Sequence, residues 1–346
     1  MKVCVFGAGA VGGHIAARFL AAGLDETSVV TRGASLAAIQ QRGLTLRVAD
    51  KEFYGRPCFA TDSPETLPPQ DVVIVCLKAQ ALPGAAEAID RLLKKDGIAL
   101  FVINGIPWWW RYGLPGTQEP LRLLDPEGTL WRLLRERSLG CVCNSSNEVI
   151  EPGIVEGMTG DSWYLGDPIS AASSRLTDMV ALFQQAGFDA RGSADLRRDI
   201  WKKLLLNASL NTLSALTRLP TIHLTTDQNV RVQMTNVMFE VMAVAKASGW
   251  DLQATVDVEA LIAPERRVHS HRTSMLQDVL AGRSLETEAL LGQLVEFARE
   301  TGVRTPLCDI LLSLLRGFGL SGGLEVSSIY TSAEPLLVTP IGSSTS

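Results

Sequence analysis

The 346-residue chain predicts an α/β N-terminal domain of the Rossmann type, built to bind a dinucleotide, followed by an all-α C-terminal domain. Three observations carry that reading. A glycine-rich turn follows a short apolar strand at the start of the chain, later strands are apolar on both faces, and long helical periodicity takes over near residue 193. The expected divisions are residues 1–192 for nucleotide binding, 193–331 for the helical domain, and 332–346 for a Ser-, Thr-, Pro- and Gly-rich tail that should fray.

The opening MKVCVF is the first strand, and Gly7-Ala8-Gly9-Ala10-Val11-Gly12 is the turn that leaves it for a helix over 14–22. Each glycine has a task. Gly7 allows the tight turn, Gly9 lets backbone approach a pyrophosphate, and Gly12 lets the helix pack on the strand. The unpaired N–H groups of this turn then meet the phosphates at the positive end of the helix dipole. Residues 28–31 follow as a strand and 34–41 as a short helix. The runs 71–77 and 97–103 are apolar throughout, which suits central parallel strands covered by helices. A helix over 173–186 and a short strand over 188–191 close the first half. Helices are expected over 195–216, 227–248, 286–301 and 306–316.

Composition narrows the function classes. With 46% hydrophobic residues, 20% charged residues and a net charge of -5, the chain has no basic footprint for nucleic acid. No apolar run reaches membrane-spanning length and the first strand begins without a leader, so the cytoplasm is the expected compartment. The six cysteines read as reduced thiols, with Cys4 and Cys76 inside buried strands. Cys141-Val142-Cys143 lacks the spacing of a zinc site, and the four histidines show no ligand spacing, so no metal is expected.

Cofactor choice follows from the end of the second strand. An acidic residue there would bind the ribose hydroxyl of NAD, but Thr31-Arg32-Gly33 occupies the place, while Asp25 and Glu26 stand before the strand. A guanidinium can pair bidentately with the extra phosphate of NADP, so Arg32 points to NADP(H).

The segment WKKLLLNASLN at residues 201–211 carries the chemistry. Lys203, Asn207 and Asn211 recur every fourth residue on a helix otherwise apolar nearly all round. A buried lysine and two buried amides need partners, either a polar network or a ligand. Ser274 and Asp278 stand one turn apart further on. Glu286 reads as a site carboxylate or, equally, as a helix N-terminal acid with Ser284 as cap. Asn104 and Lys78 each follow an apolar run directly, at the strand ends where doubly wound sheets bind ligands.

Taken together, GAGAVG, CLK at 76–78, Asn104-Gly105, WKKLLLNASLN and SMLQDVLAGRSLETE at 274–288 resemble the ketopantoate reductase (2-dehydropantoate 2-reductase) family over most of the chain. The resemblance implies NADPH-dependent reduction of 2-dehydropantoate to pantoate, on the route to pantothenate and coenzyme A. It implies Lys203 as general acid and places Glu286 in the active site, where on chemical grounds Glu286 is expected to restore part of the charged form that burial disfavours on Lys203. It places Asn104, Asn207, Asn211 and Ser274 on substrate, and Arg32, Lys78, Asn104 and Glu286 on the cofactor. A small 2-oxo acid is the partner expected, and a homodimer is an open assembly.

The chain departs from that pattern after Asn104. Three consecutive tryptophans, Trp108 to Trp110, are not expected to face one core together, and a pocket wall, a lid, a subunit contact and ordinary packing all remain open for them. Residues 144–153 are a further stretch that could line the site. Two other functions stay in view: reduction of a different 2-oxo acid, and a non-catalytic NADP(H) sensor.

Overall fold

Val3, Cys4 and Val5 are each at most 1% exposed, so β1 (Val3–Phe6) is covered on both faces as its apolar run requires. The computed structural model describes residues 1–158, 160–263 and 272–321. The other strands are β2 (Thr27–Val30), β3 (Leu44–Val48), β4 (Lys51–Gly55), β5 (Phe59–Thr61), β6 (Gln70–Val75) and β7 (Leu93–Val102). They continue with β8 (Ser138–Asn144), β9 (Asn147–Glu151), β10 (Ile154–Gly157), β11 (Ser162–Gly166) and β12 (Ala190–Gly192).

One sheet has eight strands in the order β12-β11-β8-β7-β6-β1-β2-β5. Strand β1 pairs in parallel with β2 on one side and β6 on the other, so the crossovers diverge there and open a crevice beyond their C-terminal ends. Among the described residues, only β8 and β11 pair antiparallel in this sheet. A second sheet, β4-β3-β10-β9, covers α1 (Ala10–Ala21), with Val155 so close that a Cβ on Gly13 would meet its Cγ2 at 2.7 Å. Sequence reasoning missed this sheet.

The remaining helices of the first half are α2 (Gly33–Arg42), α3 (Leu82–Leu92), α4 (Thr129–Leu134) and α5 (Ser174–Gln185). The second half is helical: α6 (Leu196–Leu206), α7 (Thr212–Thr217), α8 (Thr221–Thr226), α9 (Gln228–Ala247), α10 (Val258–Leu261), α11 (Ser274–Leu280), α12 (Gln293–Thr301) and α13 (Pro306–Ser321). The single helix expected over 195–216 is α6 and α7 joined by a π-turn at Asn207–Asn211. A second π-turn at Glu288–Gly292 precedes α12. Such widened turns are tolerated where side chains must be re-aimed.

The three tryptophans correct the expectation. Trp108, Trp109 and Trp110 are 1%, 1% and 3% exposed and lie in one apolar core. Tight turns, with Trp110 N–H donating to the Pro107 carbonyl and Tyr112 N–H to that of Trp109, splay the indoles apart. Trp108 meets Phe101 edge-on at 5.2 Å, while Trp110 meets Trp201, Trp250 and Phe297. The buried guanidinium of Arg197 donates to the carbonyls of Trp110, Tyr112 and Pro168, fastening α6 to this segment. His14 lies fully buried on α1, with its Nδ1 2.6 Å from the Asn147 amide oxygen. Residues 144–153 thus serve α1 through β9. The tail 332–346, His269 and His271 lie outside the described residues.

Candidate active site

The glycine turn has the form the motif requires. Gly7 adopts φ +103°, and a Cβ on Gly12 would meet the Gly7 carbonyl oxygen at 2.0 Å. Above Gly9, by contrast, a Cβ would find nothing within 4 Å. That is open space for a phosphate. Gly9 caps α1 with no side chain, which leaves the first N–H groups of Ala10, Val11 and Gly12 available. Arg32 stands at the N-cap of α2 and has no ion-pair partner among the described residues. These residues fit a dinucleotide.

Across the crevice, the helical half docks on the strand ends through a strap, residues 281–287. Lys78, just past β6, places its Nζ 2.6 Å from Asp278 Oδ2 and donates to the Ser284 carbonyl at 2.8 Å. Gln80 Nε2 donates to the Ser284 hydroxyl at 2.9 Å, so Ser284 does not cap a helix. Asp278 also accepts from Arg283 Nε at 2.8 Å. Gly105, at φ +77°, lets the chain after β7 touch the second π-turn, where Ile106 N–H donates to the Ala289 carbonyl at 2.8 Å. A Cβ on Gly105 would lie 2.3 Å from that oxygen.

Glu286 sits inside this seam. Its Oε1 accepts from Ala79 N–H at 3.2 Å and its Oε2 from Asn104 Nδ2 at 3.3 Å. Burial pushes its carboxyl above the usual range, against the pull of those two donors and of Lys78. The charges facing Glu286 are Lys78 and Asp278, which corrects the expectation that it partners Lys203. The strap carries it to the turn after β6, whereas Lys203 reaches from α6 to β8. Lys203 Nζ donates to the Cys143 carbonyl at 2.7 Å and lies 3.9 Å from the Cys143 sulfur.

The stripe running from α6 into the first π-turn holds together as the spacing requires. Asn211 Nδ2 donates to Asn207 Oδ1 at 3.1 Å, and Asn207 is buried with its own Nδ2 unpartnered. A buried donor without an acceptor costs free energy until something binds it. Ser274 is exposed on the first turn of α11, one turn before Asp278, with Thr273 as the cap. Sequence reasoning missed Cys143 and Gln80, and gave Asp278 no partner. Among the described residues there is no group of three or more His, Cys, Asp or Glu placed to hold a metal. No helix among the described residues is long and apolar enough to cross a membrane.

A β1–turn–α1 cradle facing a helical half that supplies an ammonium and amides defines a nicotinamide-dependent oxidoreductase of two domains. The comparisons are specific about which. Residues 3–110 match the ketopantoate reductase PanE/ApbA family and residues 195–319 its C-terminal part. The chain is 36% identical over 326 residues to the 2-dehydropantoate 2-reductase of Mesorhizobium japonicum, spanning 93% of this chain and 99% of that one. A solved protein of Ralstonia solanacearum MolK2 superposes with TM-score 0.85 at 35% identity, over 94% of this chain and 99% of that one. The 2-dehydropantoate 2-reductase of Geobacter metallireducens GS-15 superposes with TM-score 0.79 at 26% identity, over 92% and 100%. The chain belongs to the ketopantoate reductase family and is an oxidoreductase of the 2-dehydropantoate 2-reductase type.

Proposed function

We propose that the protein reduces 2-dehydropantoate to pantoate with NADPH, in the cytoplasm, on the route to pantothenate and coenzyme A. In this reading residues 1–192 bind the cofactor and 193–331 the substrate. Residues Gly7 to Gly12 hold the pyrophosphate, and Arg32 pairs with the 2′-phosphate. Bound there, the nicotinamide supplies the hydride to the 2-oxo carbon. Lys203 stabilises the charge that grows on the substrate oxygen and then protonates it. Asn207, Asn211 and Ser274 hold the carboxylate and hydroxyl as neutral donors. Asn104 and Glu286 join the cofactor to the substrate, and Lys78 fixes the crevice wall beside them. The observation that supports this most is the pairing of Lys203, held by neutral partners only, with the unpartnered buried amide of Asn207 one turn away.

The test is NADPH oxidation against a panel of 2-oxo acids. Turnover confined to 2-dehydropantoate supports the proposal. Turnover with another acid favours the second reading, which the shared fold of D-mandelate dehydrogenase, TM-score 0.78, keeps open. Tight NADPH binding without turnover means a sensor. Arg32→Asp should lower the NADPH-to-NADH preference by about 10- to 100-fold, the worth of charge-assisted hydrogen bonds; unchanged preference removes Arg32 from the cofactor. A family member from Staphylococcus aureus is described as dimeric, and a homodimer is proposed here too.

A further inference from the structure

We propose that Arg197 is a positioning residue for the reaction: it fixes α6 on the sheet half at the height and rotation that hold Lys203 in the crevice. The effect on rate rests on the role proposed for Lys203; the anchoring does not.

The two cations stand six residues apart on one helix, about 9 Å along its axis. Both cross to the sheet half. Lys203 donates to the Cys143 carbonyl at 2.7 Å, two residues past the last rung between β7 and β8, at the crevice end of the sheet. Arg197 is 8% exposed and donates to three carbonyls, from Nε to Trp110 at 2.8 Å and from its two terminal nitrogens to Pro168 at 3.1 Å and to Tyr112. Pro168 follows β11 and the other two follow β7, so one guanidinium holds two loops of the sheet half. Its Cζ also lies 5.7 and 5.9 Å from the ring centroids of Trp109 and Trp110. Three acceptors and two indoles offset the cost of burying the charge, and the planar fork of arginine suits acceptors on several sides. Burial lowers this guanidinium to about 10, against the pull of Asp195, so it stays charged at neutral pH.

The residue before it supplies a second constraint. Gly140 on β8 and Gly166 on β11 stand opposite each other in the sheet, and Leu196 fills the notch above both. A Cβ on Gly166 would meet Leu196 Cβ at 2.6 Å, and one on Gly140 would meet Leu196 Cδ2 at 2.7 Å. Leu196 and Arg197, consecutive at the start of α6, thus set where the helix begins and how it is turned. The bond from Lys203 cannot do this for itself, because the ammonium turns to the substrate oxygen in the step proposed for it.

The position of Lys203 is read on the full chain by limited acetylation with acetic anhydride and mass spectrometry, beside NADPH oxidation with the 2-oxo acid that turns over. Arg197→Ala should raise acetylation of Lys203 several-fold relative to Lys202 and leave NADPH affinity near normal. Its kcat should fall by about 10²-fold, the usual cost of a 1 Å misplacement. Guanidinium ion at millimolar concentration should restore part of the kcat of Arg197→Ala and none of that of Lys203→Ala, a rescue that lost stability alone would not show. Gly166→Ala, which displaces Leu196 and keeps Arg197, should raise acetylation and lower kcat in the same way, and it carries the test if Arg197→Ala does not fold. Unchanged acetylation of Lys203 overturns the proposal. So does a loss of NADPH affinity as large as the loss of kcat, which would make Arg197 a support of the whole fold. Raised acetylation with unchanged kcat overturns Lys203 as the acid instead, and the anchor stands.

Discussion

Lys78 and Lys203 both cross the seam between the two halves, one from each side, and their surroundings differ in one respect. Lys78 meets a carboxylate, Asp278 at 2.6 Å, and a carbonyl, Ser284 at 2.8 Å. Lys203 meets a carbonyl and a thiol, both of Cys143, and no carboxylate among the described residues. A charge neutralised by a fixed counter-ion holds structure together; one satisfied by neutral dipoles keeps its field for a developing anion. The first lysine joins the halves. The second is the one we propose acts on substrate.

Several substitutions break or sharpen that contrast. Lys203→Ala should cost about 10²- to 10⁴-fold in turnover, the usual worth of a positioned acid, while NADPH binding by fluorescence stays near normal. Retained turnover ends the contrast. Gly105→Ala should destabilise the fold by about 1–3 kcal/mol, because φ +77° and the Ala289 oxygen at 2.3 Å leave no room for a Cβ. Denaturant midpoints measure this, and no loss would mean the seam yields. Asp278→Asn removes the counter-ion of Lys78 and should cost about 1.5–3 kcal/mol of stability, with turnover at saturating substrate reduced less than tenfold. A fall as deep as that of Lys203→Ala would make both lysines chemical.

The smallest effect belongs to His14 on α1. Burial holds its protonated form down, aided by the Arg18 charge and opposed by Asn147 and Asp161, so it titrates below its ordinary 6.5. The unfolded chain therefore takes the proton first. Stability should be fully present above pH 6.5 and fall below it, with a slope of at most ~1.4 kcal/mol per pH unit, until the folded histidine also titrates. His14→Gln should flatten that part of the profile; an unchanged profile assigns it to other groups.

The two sides of the crevice were unequally legible from sequence. The glycine turn is local and consecutive, so its geometry could be read residue by residue. Lys203, Asn207 and Asn211 were visible because a four-residue period survives the π-turn, as the Asn211–Asn207 bond shows. Contacts between distant segments left no such trace. Glu286 carries the same spacing whether it caps a helix or reaches Ala79 and Asn104, and only the strap decides. The partner of Lys203 is a backbone carbonyl, which no side-chain pattern records. The tryptophans misled because adjacent residues in a regular element point apart, whereas successive tight turns return all three to one core. Strands β3, β4, β9 and β10 are short and partly exposed, with none of the unbroken apolar runs that marked the central strands.

The small sheet over α1 also dictates an order of events during synthesis. β3 pairs in parallel with β10, joining Thr45 to Ile154, so the partner strand emerges about 110 residues after the one it must meet. At roughly 5–20 residues per second, the outer surface of α1 waits on the order of 5–20 seconds for the β9–β10 half of its cover. In that interval Gly13 and His14 of α1 lack Val155 and Asn147, the residues that later meet them, and stand open to whatever chaperones attend the ribosome.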